Sequence, residues 1–273
     1  MGAFLHRSTG ASGLASWQRD TDHIEKAFDF AGMPARNGVT SALLVQAGAT
    51  GVDDVFSGAD NFFQAFLPKN DAAMVIEKLG ERYEVTRTSF KKWTTGSPIQ
   101  AVLDAMVNLQ SHSAFAADDV KQVVVRVGTN EAAIVNNREI PDISLQHLVA
   151  VMLIDKTVSF KSAHDVARMK DPVVLRHRAK VQLIPDEELE RKAPQREAIV
   201  EVVLNNGTRL TDHVEAVRGT FGNPMTREEV VAKARDLITP VIGASTSARL
   251  IETVFALENV KNLRDLRPLI QRA

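Results

Sequence analysis

Asn205-Asn206-Gly207 constrains the architecture of this chain more than any other stretch. It lies between two runs, Glu197–Leu204 and Leu210–Val217, both rich in apolar and β-branched residues. An Asn-Gly pair in that position adopts the positive φ angles of a tight hairpin turn, because glycine has no Cβ to clash and asparagine tolerates the left-handed region. The flanking runs are therefore expected to be neighbouring antiparallel strands. Lys121–Val127 (KQVVVRV) concentrates β-branched residues, and Arg178–Ile184 alternates apolar with polar ones. Both read as strands, so the middle of the chain is α+β with mostly antiparallel pairing.

Helical signals lie on both sides of this zone. Pro34 suits a first helical turn, Val39, Leu43, Leu44 and Ala47 recur at helical spacing, and Gly48 ends the run. Phe56, Phe62, Phe63 and Phe66 make an apolar cluster closed by Pro68, and Asp71–Leu79 reads as a helix ended by Gly80. Ser97-Pro98 reads as an N-cap with proline at the first position of a helix reaching Leu109. SLQHLVAVMLI, from Ser144, and Ser162–Met169 are expected helices within the middle zone. Thr226 and Glu229 form a T-x-x-E capping box before a helix to Ile238, which Pro240 is expected to stop. Ser247–Leu257 and Leu263–Ile270 complete the chain.

This order, helical then α+β then helical, predicts an α+β protein. Its mainly helical domain is built from both chain ends (residues 1–96 and 219–273), with a smaller α+β domain (97–218) inserted between them.

Charge narrows the function classes. Lys and Arg total 33 and Asp and Glu 34, a formal net charge of −1, so no basic field exists to hold a phosphate backbone and nucleic acid is not an expected partner. Cysteine is absent, which removes disulfides, thiolate metal sites, cysteine nucleophiles and cysteine-ligated iron–sulfur clusters. No apolar run reaches the length of a membrane span or a signal peptide. The expectation is a cytoplasmic globular protein with no membrane partner.

No dinucleotide fingerprint, Walker motif, H-E-x-x-H or G-x-S-x-G is present, and no two histidines stand at metal-ligand spacing. The candidates are single residues. DTDHIEKAFDFAG (20–32) gathers Asp22, His23, Glu25, Lys26 and Asp29 beside the first helix. Arg36 and Asn37 follow Pro34. Lys91 and Lys92 precede Gly96-Ser97-Pro98, a helix start whose backbone N–H groups could hold an anion. His147 lies on the apolar helix of the middle zone. Each also has a plain alternative: a solvated charge, an ordinary cap, or a histidine satisfied within the core.

Three segments taken in order resemble the MmgE/PrpD family, which includes 2-methylcitrate dehydratase and cis-aconitate decarboxylase. They are GASGLASWQRDTDHIEKAFDFAGMPARNGVTSALLVQAGATGVDDVFSG, FKKWTTGSPIQAVLDAM and VRGTFGNPMTREEVVAKARDLI. The resemblance implies a large helical domain from both chain ends, a lid near residues 97–218 and an active site in the cleft between them. It also implies that this chain corresponds to the C-terminal part of a family member. An aspartate and histidines of the family site would then come from a preceding helical region, and the expected assembly is a homodimer or a pairing with a separate N-terminal partner chain.

Carried over by position, the family's site lysines fall on Lys26 and Lys91, and the aromatic position of the lid helix, usually tyrosine, falls on His147. Those three are the implied catalytic residues, and Lys92, Ser97 and Arg36 are the substrate-binding candidates. The family's cysteine or histidine after the second lysine is replaced by Thr94, Thr95 and Gly96, and its histidine after the first lysine by Asp29 or a neighbour. The implied activity is a lyase, a dehydratase or decarboxylase, acting on a small di- or tricarboxylate without metal or other cofactor. Epimerisation of a dicarboxylate-like substrate and an inactive fragment or subunit are the alternatives.

Overall fold

The computed structural model describes residues 32–51, 53–66 and 73–271. The chain divides into two compact units, 1–87 and 88–273. In the first, α1 (Met33–Gln46) begins with Pro34 in its first turn and has no buried residue. Two short helices follow, α2 (Phe62–Phe66) and α3 (Ala73–Ile76). Phe56, Phe62 and Phe63 form a ring cluster with centroids 5.4–5.9 Å apart.

The second unit holds one four-stranded sheet of order β2-β1-β3-β4. Its strands are β1 (Val120–Gly128), β2 (Val181–Asp186), β3 (Ala198–Leu204) and β4 (Arg209–Val214). The hairpin forms, with only the glycine of the Asn-Gly pair at positive φ: Gly207 takes φ +88°, Leu204 N–H donates to Thr208 O at 2.8 Å, and β3 and β4 pair antiparallel with Val202 opposite Leu210. β1 also pairs antiparallel with β3, but parallel with β2. The sheet is therefore mixed. The crossover from β1 to β2 carries α5 (Thr129–Val135), α6 (Leu145–Asp155), α7 (Phe160–Ala163) and α8 (Pro172–Arg178).

Register decides which side chains form the core. Val123, Val125, Val200 and Val202 face one way and are wholly buried. Against that face pack α6 and α4 (Gln100–His112), the helix before β1. Every residue from Leu145 to Leu153 of α6 is buried, and a helix apolar all round belongs in an interior. The opposite face of the sheet carries polar pairs, Gln122 with Gln182 at 3.0 Å and Arg209 with Glu201 at 2.8 Å. Three helices end the chain, α10 (Arg227–Ile242), α11 (Ala244–Phe255) and α12 (Arg267–Ile270), after the short α9 (Glu187–Glu190) and β4. Among the described residues no helix is long and apolar enough to cross a membrane.

Several elements differ from the sequence expectation. The stretch expected to be a strand from Arg178 begins instead as the end of α8, which Asp171 caps by accepting from Val173 N–H at 2.8 Å. The hairpin's second strand stops at Val214 rather than Val217. Ser162–Met169 is not one helix: Ser159 caps a single turn, Phe160–Ala163, and a 3₁₀ turn follows at Ala167–Lys170. Ser97 does not cap its helix but opens a 3₁₀ turn, Ser97–Ile99, that leads into α4. Pro240 does not stop α10. It sits in the last turn, where only one backbone hydrogen bond is lost, and Gly243 at φ +79° makes the break.

Candidate functional site

The loop before α4 and the loop after β4 are bound to each other through their backbones. Phe90 N–H donates to Gly219 O at 2.7 Å, and Gly219 N–H donates to Asn223 O at 2.7 Å. Gly219 takes φ +96°, and a Cβ there would run into the Phe90 carbonyl oxygen, so only glycine fits. Asp104, on α4 and 8% exposed, joins the same two segments. Its Oδ1 accepts from the Trp93 indole at 2.9 Å and its Oδ2 from Arg218 N–H at 2.8 Å. Burial pushes the Asp104 carboxyl above its ordinary pKa, against these donors and the charges of Lys92 and Arg218.

Gln100 lies one helical turn before Asp104, on the same face of α4. Its Oε1 accepts from Trp93 N–H at 3.0 Å, and its Nε2 donates to Trp93 O and Thr95 Oγ1, each at 2.9 Å. Two buried polar side chains of one helix thus fix the conformation of residues 93–95. The lysines stand at the near end of that segment. Lys91 Nζ donates to Thr95 O at 3.1 Å, while the Lys91 carbonyl accepts from Lys233 Nζ of α10. Burial pushes the Lys233 ammonium below its ordinary pKa. Lys92 Nζ lies 4.9 Å over the Trp93 ring and 3.9 Å from Glu229 Oε1.

Glu229 has two roles. It closes the capping box of α10, accepting from Thr226 N–H at 2.8 Å, and it holds the Arg218 guanidinium in a forked pair at 3.1 and 2.5 Å. The Arg218 bond holds the Glu229 carboxyl below its ordinary pKa and raises Arg218 above its own. Arg218 also donates to Asn223 Oδ1 at 2.7 Å. Lys92, Asp104, Asn108, Arg218 and Asn223 line a groove of about 540 Å³. This arrangement offers cations and amide donors to a small anion. Among the described residues no group of three or more His, Asp or Glu side chains is placed to hold a metal ion.

The sequence candidates are placed as follows. Lys91, Lys92 and Ser97 share one segment, which packs on the Arg218 turn through the contacts above. His147 is on α6 and wholly buried, and neither ring nitrogen has a hydrogen-bond partner among the described residues. Burial pushes its pKa down from 6.5 to about 4, with Arg178 and Arg168 adding to the effect and Asp165 opposing it. The start of that helix meets the lysine segment through the backbone, where Gly96 N–H donates to Asp142 O at 2.8 Å. Arg36 is exposed on α1 in the first unit, with its Nη2 3.4 Å from Asn37 Oδ1. Lys26 lies outside the described residues, as do Asp22, His23, Glu25 and Asp29.

Gln100, Asp104, Arg218 and Glu229 were not singled out from the sequence. Gln100 and Asp104 interrupt an apolar helix at i, i+4 spacing, which is the signal of a buried polar pair. Arg218 and Glu229 lie within VRGTFGNPMTREE, where Glu229 read only as a cap.

A family model described as the MmgE/PrpD C-terminal domain matches residues 93–259, more than half of the 273-residue chain. The match takes in Gln100, Asp104, Arg218 and Glu229 and begins one residue after Lys92. No curated protein matches the chain.

Proposed function

The chain belongs to the MmgE/PrpD family through its C-terminal domain, and from that premise we propose that it serves a lyase reaction, dehydration or decarboxylation, on a small di- or tricarboxylate. The observation that carries the reading is the meeting of Lys92 and Arg218 on one groove beside Asp104. Removing a proton next to a carboxylate, or losing CO₂ from one, places new negative charge on a substrate that is already anionic. Fixed cations in a partly desolvated site stabilise that charge without reorganising. Lys92 and Arg218 supply such charge, and Asp104, whose carboxyl burial pushes above its ordinary pKa, holds the segments that carry them. The groove volume lies within the roughly 300–1,000 Å³ typical of small-molecule sites. In this reading Lys91, on the same segment as Lys92, and His147 serve the site with the two groove cations.

The test is titration calorimetry of the purified chain with citrate, cis-aconitate and 2-methylcitrate, together with NMR of each mixture for product. Binding of at least one acid is expected, weakened about ten- to hundredfold by Lys92→Ala, since a charge-assisted contact contributes roughly 1.5–3 kcal/mol. Absence of binding by all three acids, or wild-type affinity in Lys92→Ala, overturns the reading.

A further inference from the structure

The two cations of the groove already hold a carboxylate that belongs to the chain. Lys92, Arg218 and Asn223 line the groove, and Glu229, in the first turn of α10, reaches both cations. Its Oε2 accepts from Arg218 Nη2 at 2.5 Å and from Arg218 Nε at 3.0 Å, and its Oε1 lies 3.9 Å from Lys92 Nζ. The third guanidinium nitrogen, Nη1, donates to Asn223 Oδ1 at 2.7 Å. The three charged side chains are desolvated to the same degree, 27% exposed for Lys92, 28% for Arg218 and 29% for Glu229.

This is the arrangement that a ligand carboxylate would need. The Nε/Nη2 edge of a guanidinium is a planar fork that matches a carboxylate, and Glu229 fills it. The Arg218 bond also holds Glu229 below its ordinary pKa, so the group stays ionised at neutral pH. Charge leads to the same place as geometry. Lys92 and Arg218 act on both Glu229 and Asp104, two cations against two carboxylates, so their formal charges cancel. Glu215, the other acid on the groove, is 75% exposed and largely screened by water. A small polyanion entering the groove therefore gains little from the cations while Glu229 keeps them.

Resting on the lyase reading of the groove, we propose that Glu229 is an internal competitor of the substrate: its carboxylate takes the place of a substrate carboxylate on Arg218 and Lys92, and a di- or tricarboxylate binds by displacing it. The contact is autoinhibitory, and it sets the ligand concentration at which the groove fills.

The probes are citrate, cis-aconitate and 2-methylcitrate, titrated by calorimetry at neutral pH and fixed ionic strength. Glu229→Gln removes the competing charge and keeps a side chain able to close the capping box. Each acid that binds the wild-type chain should bind this variant about fivefold tighter, the scale of a partly exposed ion pair that no longer has to be broken. Two variants separate this from other causes. Glu228→Gln removes the same charge from the exposed neighbouring residue. Thr226→Val removes the hydroxyl that accepts from Glu229 N–H at 3.3 Å, which weakens the cap but leaves the carboxylate on the cations. Both should stay within about twofold of wild type. Affinity in Glu229→Gln no tighter than wild type overturns this inference and leaves the lyase reading standing. Equal tightening in Glu228→Gln traces the gain to net charge, and in Thr226→Val to a loosened α10; either result overturns the displacement. Absence of binding by all three acids, in wild type and Glu229→Gln alike, overturns this inference and the lyase reading together.

Discussion

Replacing His147 by leucine should make the protein more stable, and far more so in acid. Both ring nitrogens of His147 are buried without a partner among the described residues. An unpaired buried polar group costs about 1–3 kcal/mol, and an apolar side chain of similar volume removes that cost. The pH term follows from the depressed pKa, about 4 in the fold against 6.5 for an ordinary histidine. Below pH 6.5 the unfolded chain takes up a proton that the folded chain refuses. The unfolded state is then favoured, and stability falls as pH drops from 6.5 to about 4.

Linkage gives a loss of about 2 kcal/mol by pH 5 and about 3 kcal/mol once both states are protonated. His147→Leu should lose this slope while keeping the contribution of His177, whose pKa burial also lowers. The assay is urea unfolding by far-ultraviolet circular dichroism at pH 8, 7, 6 and 5. The gap between variant and wild type should widen by about 2 kcal/mol from pH 8 to pH 5. A constant gap, or a variant less stable than wild type at pH 8, would refute the reasoning and point to a partner for the ring.

Two further substitutions probe the joint between the two loops. Gly219→Ala should cost more than about 2 kcal/mol, because it adds left-handed strain to a collision with the Phe90 carbonyl. Gly222→Ala, where the nearest atom to a new Cβ is that of Ala216 at 3.9 Å, is the control and should stay within about 1 kcal/mol of wild type; equal urea midpoints for the two would show that the joint does not depend on Gly219. Asp104→Ala should destabilise more than Asp104→Asn, since asparagine retains one acceptor for the two donors and alanine none, with each unpaired donor costing about 1–3 kcal/mol. Equal losses, measured by thermal unfolding, would mean that only one of the two hydrogen bonds matters.

The sequence carried local signals well and long-range ones poorly. The Asn206-Gly207 turn, the KQVVVRV strand and the Thr226–Glu229 capping box appear where they were read, because each depends on neighbours a few residues away. The parallel pairing of β1 with β2 left no local trace. It arises because β1 has two edges and the hairpin occupies only one of them. The start of β2 was misread because an alternating pattern over Arg178–Ile184 concealed the signal upstream, an aspartate cap followed by Pro172 at the first helical position. His147 was ambiguous for another reason: a helix buried on every side has no periodicity to tell a site residue from a core residue.

The candidate site was half legible for the same physical reason. Lysines in a loop attract attention because a cation beside a helix start has an evident use. Gln100 and Asp104 do not, although they determine where those lysines stand. A further regularity appears only in three dimensions. The buried side-chain atoms without partners among the described residues belong to Thr94, Ser144, His147 and His177. Thr94 lies two residues before Gly96 and Ser144 two residues after Asp142, the pair whose backbone hydrogen bond joins the lysine segment to the start of α6. His147 follows on the first turn of that helix. Unsatisfied polar atoms are costly and scarce in native interiors, and among the described residues three such residues surround one backbone contact. Natural chains break local rules chiefly where function requires it. Among the described residues, the unpartnered polar atoms at this junction and the cations of the neighbouring segment lie in the same part of the fold.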